Sequence, residues 1–133
     1  RAFSPDWGRH AGDDDVDAAI ALVGPPFTRA PAGATAARRS AAERMRRASG
    51  GVAPGRSWRD DGVSWTPETT LLAWSAAALG LTREAAGLLD WVDHHRTAVG
   101  ALPEKVRADG TPAGPAPLAW TCALVLLAAR ETV

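Results

Sequence analysis

The sequence contains no tyrosine, asparagine or glutamine and only one cysteine. A single cysteine excludes an intramolecular disulfide framework. Cys122 falls in an apolar helical pattern and is expected to be a small buried residue. No apolar run approaches the roughly 20 residues that a membrane-spanning helix needs. No secretory leader pattern is read either. The expectation is a cytoplasmic rather than a secreted protein, with no membrane partner. Lys plus Arg and Asp plus Glu each number 15, so the formal net charge is zero. No global field then draws the chain to nucleic acid. No Cys–His cluster has metal-ligand spacing, and no serine sits in a nucleophile elbow. His94 and His95 are adjacent, so on a helix they point about 100° apart and cannot share an ion. No metal and no cofactor are expected.

What is present is helical. The length of 133 residues suits one domain, residues 1–133, around one core. The chain begins with Arg1 and not Met, which suggests a piece of something longer or a processed product. Helical patterns are read at residues 18–23, 34–48, 66–79, 82–95 and 118–130, with no convincing strand. Thr66 is expected to cap the third segment, with Pro67 at its first position and Gly80 as its stop. Residues 71–79 are apolar nearly all round, so this helix should be buried on most sides. Thr82 is expected to cap the next helix, and the tight Gly80-Leu81 connection makes the two an antiparallel hairpin. The fold class is therefore all-α. Arg38, Arg39, Arg44, Arg46 and Arg47 read as a solvated helix face, with Glu43 paired to Arg47. Gly50 and Gly51 stop that helix, and Phe3 and Trp7 are expected to pack.

Three stretches carry possible chemistry. Asp13-Asp14-Asp15-Val16-Asp17 precedes an apolar segment, where acids suit a helix start or a cap. Asp13, Asp14 and Asp17 also resemble the Asp-Asp-x-x-Asp pattern that holds Mg2+-diphosphate in isoprenoid synthases. Those enzymes use a second motif containing asparagine, which this chain lacks. The second stretch is the long connection over residues 50–66. It contains Trp58, Asp60, Asp61 and Trp65 with Arg56 and Arg59, a composition unlike a linker. Exposed tryptophan faces stack on sugar rings, and arginine and carboxylate hold hydroxyls. The third is Gly100-Ala101-Leu102-Pro103-Glu104-Lys105-Val106, then Gly110 and Pro117-Leu118-Ala119-Trp120. Pro103 restricts the loop and aims Glu104. Glu104 reads either as a solvated loop acid or as a catalytic group on a rigid scaffold. Trp120 reads as a core or wall residue.

The third stretch resembles the end of the catalytic domain of glycoside hydrolase family 15, the glucoamylase, glucodextranase and bacterial trehalase-type family. Gly-x-Leu-Pro-Glu-x-Val, a glycine turn and Pro-Leu-Ala-Trp-x-x-Ala carry the likeness. Residues 66–130 follow the family pattern, and Asp17 to Phe27 resemble a structural segment of it. Gly50, Gly51 and Trp65 match its sugar-binding loop, with Asp60 or Asp61 at the acid. Its Arg-Tyr pair is missing, and Ala53, Pro54 and Gly55 stand in its place. The resemblance implies part of an (α/α)6 barrel without its N-terminal helices. It implies inverting hydrolysis of an α-glucosidic bond in an oligosaccharide or disaccharide, with Glu104 as general base and Trp120 near the sugar. The general acid would come from a Trp-Glu segment that this chain does not contain, since Glu43, Glu68 and Glu84 lie inside helical patterns. The partners implied are the rest of the barrel or a second copy. Alternatively, the chain is a non-catalytic helical remnant that binds carbohydrate or docks to another chain.

Overall fold

The computed structural model describes residues 7–132. Phe3 lies outside them. Among the described residues, a short 3-10 helix at Ala18–Leu22 is followed by α1 (Ala34–Met45), β1 (Ser64–Trp65), α2 (Thr66–Ala78), α3 (Thr82–His94), β2 (Lys105–Val106), β3 (Pro112–Ala113) and α4 (Ala119–Glu131). The chain is mostly helical, as its periodicity predicts. No helix among the described residues is long and apolar enough to cross a membrane.

The organising element is α2. None of its residues is exposed, and it packs against α3, α4 and the 3-10 helix. A helix apolar on all sides must be covered on all sides. Its end is set by Gly80, at φ +73°. The Leu81 N–H bonds the Ala76 carbonyl and the Gly80 N–H bonds the Ala77 carbonyl, both at 2.9 Å. These are the two bonds of a Schellman motif, and Leu81 packs against Ala76 and Ala77 as its apolar closure. The reversal lays α3 back on α2. A second cluster joins Val16, Ile20, Ala41, Met45, Val52 and Leu72, with Trp7 packed against it as expected.

Several local expectations are corrected. Thr66 is the first helical residue, not a side-chain cap, and neither Leu81 nor Thr82 caps α3 through a side chain. The hydroxyl of Thr66 is engaged across the fold instead. It donates to the Pro103 carbonyl and lies 2.7 Å from the Thr121 hydroxyl, which donates back to it. α1 ends at Met45, short of residue 48, because Arg46 turns extended and bridges Val52. Glu43 pairs with Arg46 at 2.9 Å, not with Arg47. Arg38 is not solvated: it is 2% exposed and its guanidinium binds Glu84. Arg47 turns back onto the carbonyls of Met45, Gly55 and Arg56. Cys122 is half-buried. Residues 18–22 form a 3-10 turn capped by Asp17, whose carboxylate accepts from the Ala19 N–H at 2.9 Å.

The sheet was invisible to periodicity because each strand has two residues. Its order is β1-β2-β3, antiparallel throughout. Ser64 faces Val106, Trp65 faces Lys105, and Lys105 faces Ala113. This pairing holds the Glu104 segment at the start of α2.

Thr66 and Thr121 are both fully buried, so removing one hydroxyl leaves its partners unpaired away from water. Thr66→Val is expected to cost about 1–3 kcal/mol. In urea denaturation, Thr66→Val with Thr121→Val should cost less than the sum of the single changes. Strict additivity would show that the two hydroxyls are not coupled.

Candidate functional site

Glu104 is fixed by its backbone. Its N–H bonds the Pro115 carbonyl at 3.0 Å, and its carbonyl accepts from the Thr66 N–H at 3.0 Å. Leu102 and Pro103 behind it are buried, and the Leu102 carbonyl accepts from the Leu118 N–H at 2.9 Å. The segment is thus clamped between the first turns of α2 and α4. The Glu104 side chain is 23% exposed, which separates it from an ordinary solvated loop acid. Gly114 makes room for it: a Cβ there would stand 2.6 Å from Glu104 Oε2, and Gly114 has φ +76°.

Strand pairing sets Trp65 opposite Lys105, and a chain of contacts runs outward from Glu104. Lys105, the only lysine in the sequence, puts Nζ 3.0 Å from Glu104 Oε2. The same Nζ lies 4.4 Å from the centre of the Trp65 ring, a cation–π contact. Trp58 meets Trp65 edge-to-face, with ring centroids 5.9 Å apart, and is 41% exposed. Glu104, Lys105, Trp65 and Trp58 therefore form one row. Asp60 and Asp61 lie on the exposed turn that precedes β1, where Asp61 accepts from the Val63 N–H at 3.0 Å. Trp120, in the first turn of α4, is 53% exposed and lies on a separate groove with Glu68.

The aspartate run does not form a diphosphate site. Asp13 and Asp14 precede the 3-10 helix and do not share a helical face with Asp17. Asp13 accepts from the Asp15 N–H, Asp14 pairs with Arg56 at 2.9 Å, and Asp15 accepts from the Ser57 hydroxyl. The hydrogen bond and charge of Arg56 hold the Asp14 carboxyl below its ordinary range, and the Ser57 bond does the same for Asp15. Among the described residues, no group of three or more His, Cys, Asp or Glu side chains is placed to hold a metal. The run instead ties the 50–66 connection to the start of the 3-10 helix.

A further candidate, which periodicity concealed, is Glu68. It sits in the first turn of α2, 9% exposed, and lines the groove that contains Trp120, Trp74 and Phe27. Burial pushes its carboxyl up from the ordinary value, and the charge of Glu104 adds to that rise. The two carboxyls are therefore electrostatic neighbours. The available signal was an acid inside a helix with no polar face, where a charge has no solvent to meet. Glu43 and Glu84 differ, since both are paired with arginines.

No family model matches the sequence, and no curated protein matches it. Solved structures of glycosidases do match. A wild-type glycosidase superposes with a TM-score of 0.74 at 27% sequence identity, over 92% of this chain and 37% of that one. A glutamate-to-alanine variant described as a glycosidase in complex with glucose superposes with a TM-score of 0.73 at 26% identity, over 92% and 37% of the two chains. A tyrosine-to-phenylalanine variant of a glycosidase gives 0.74 and 27%, with the same shares. The chain has the fold of a helical part of these glycosidases, and spans little more than a third of their length.

Two outcomes follow from the carboxyl environments. A carboxyl raised in the fold takes up a proton on folding, so its cost is absent below its ordinary value of 4.5 and grows as pH rises through the raised value. Glu68→Gln should therefore raise the melting temperature at about pH 7 and change it little at about pH 3.5. An equal effect at both pH values would contradict the assignment. Gly114→Ala places a non-glycine residue at positive φ and against the Glu104 carboxylate. Chemical denaturation should register a loss of about 1–2 kcal/mol or more.

Proposed function

We propose that this chain is part of an inverting glycoside hydrolase of the glucoamylase-like family 15 type, acting on α-glucosidic bonds with Glu104 as general base. The observation that carries this reading is the placement of Glu104. It is a partly buried carboxylate, immobilised at both backbone groups, in a chain that matches glycosidases over 92% of its length. In the proposed reaction, Glu104 takes a proton from a water that attacks the anomeric carbon. A second carboxyl on the opposite side protonates the leaving oxygen. The two stand about 6.5–9.5 Å apart in inverting enzymes, which leaves room for the water. Trp58 and Trp65 offer ring faces beside the base, Asp60 and Asp61 offer acceptors for hydroxyls, and Trp120 forms a further wall. Maltose-, isomaltose- and trehalose-type substrates all fit this chemistry.

The leaving-group acid and the closing helices belong, in this reading, to the rest of a barrel. The exposed Leu126 and Leu127 of α4 support that partner, because helical apolar side chains at 72% and 37% exposure are suited to further packing. A second copy of the chain is the alternative partner. One contact favours a second, non-catalytic reading. The ammonium of Lys105 occupies one oxygen of Glu104 at 3.0 Å, where a base would meet its water. A carbohydrate-binding remnant would keep that pair closed.

Glucose release from maltose and isomaltose, followed by proton NMR, separates these readings. The native protein carrying this sequence should release β-glucose first. Glu104→Gln should lower turnover by about 10^2–10^4-fold. The 133-residue chain alone should release little or none. Turnover that persists without Glu104, or α-glucose appearing first, would overturn the hydrolase reading. Glu104-dependent release by the isolated chain would show that it needs no barrel partner.

A further inference from the structure

The groove between the 3-10 helix, α2 and α4 holds about 500 Å3 and is walled by Phe27, Trp74 and Trp120. Two of its lining residues carry buried polar atoms without a hydrogen-bond partner: Glu68 through Oε2 and Trp74 through Nε1. One is an acceptor and the other a donor. Buried polar groups are normally paired, and an unpaired one calls for an explanation. Both residues line one aromatic-walled groove, and that combination fits a particular chemical class. A sugar hydroxyl both donates and accepts, while the C–H face of a pyranose packs on an indole ring. Ligand sites are mostly apolar clefts with a few placed polar groups, as here.

We propose that this groove is a pyranose subsite in which the Glu68 carboxyl and the Trp74 indole N–H bind ring hydroxyls while Trp120 stacks on the ring. The assignment rests on the glycosidase reading and adds to it two residues that lie outside the row of Glu104, Lys105, Trp65 and Trp58. Three features support it. The terminal torsion of Glu68 is broad and roughly two-fold, so a half-turn of the carboxyl exchanges its two oxygens. Phe27 stands edge-on to Trp74 at a centroid distance of 5.0 Å and is 45% exposed, so a solvent-facing aromatic ring flanks the indole. Thr66, in the same first turn of α2 as Glu68, bonds the Glu104 carbonyl through its N–H, so the groove and the Glu104 segment share that turn.

The test uses the full chain labelled with 15N and titrated with glucose and with isomaltose. The sequence has six tryptophans, and the Trp74 indole N–H resonance is the one missing from the Trp74→Phe spectrum. That resonance should shift on titration. Glu68→Leu and Trp74→Phe should each weaken glucose binding by about tenfold or more, while Glu68→Gln, which keeps a donor and an acceptor, should stay within about threefold. If Glu68→Leu fails to fold, the Trp74 shift and the Trp74→Phe affinity decide the matter. A Trp74 resonance that stays fixed while those of Trp58 and Trp65 move would sink the subsite and leave the glycosidase reading intact. The subsite is equally overturned if glucose binds both substituted chains as tightly as the original. No indole shift with either sugar, together with turnover independent of Glu104, would sink both.

Discussion

One hydroxyl holds the site together. Thr66 begins α2, donates to the Pro103 carbonyl, accepts from Thr121 in α4, and gives its N–H to the Glu104 carbonyl. Three segments meet at that residue, with Pro103 and Thr121 lying 37 and 55 residues further along the chain. A buried hydroxyl is costly unless it is paired, so the three segments are stable only together. The neighbouring threonines act in the same way. Thr69 accepts from the Val52 N–H and donates to the Trp65 carbonyl, and Thr70 donates to the Thr66 carbonyl. The first turn of α2 is therefore a polar hub inside an apolar helix. It orients the row of Glu104, Lys105, Trp65 and Trp58 from behind.

The helices were legible because their apolar spacing is a local property. Residues 66–79 and 82–95 gave their hairpin away through Gly80, and the first helix showed its burial through the absence of a polar face over residues 71–79. The position of Glu104 between rigid segments was legible in the same way, from Pro103 and the flanking helical patterns. The sheet was not, since two-residue strands have no period and exist only through pairing with distant partners. Arg38 misled because arginine on a helix is normally solvated, and its burial depends on Glu84 of a different helix. Glu68 misled for a related reason. Its environment is made by Phe27, Trp74 and Trp120, which no local window contains together. The aspartate run shows the opposite failure. Its motif was conspicuous, yet Arg56, Ser57 and the Ala19 N–H had already engaged its carboxylates.

Burial is distributed unevenly along the helices. All of α2 is covered, while α4 leaves Trp120, Leu126 and Leu127 in contact with solvent. The contrast follows from position: α2 has neighbours on three sides, whereas α4 packs chiefly against α2. A chain that spans little more than a third of the glycosidases it resembles carries its own centre and exposes an apolar flank.

Lys105 gives the molecule a practical property. It carries the sole side-chain amine in the sequence, and that amine lies between the Glu104 carboxylate and the face of Trp65. Apart from the chain terminus, any amine-directed reagent has one address. A fluorophore, a biotin or a short cross-linker attached there reports on the carboxylate itself, and a lysine-specific protease cuts the chain only at the bond that follows Lys105.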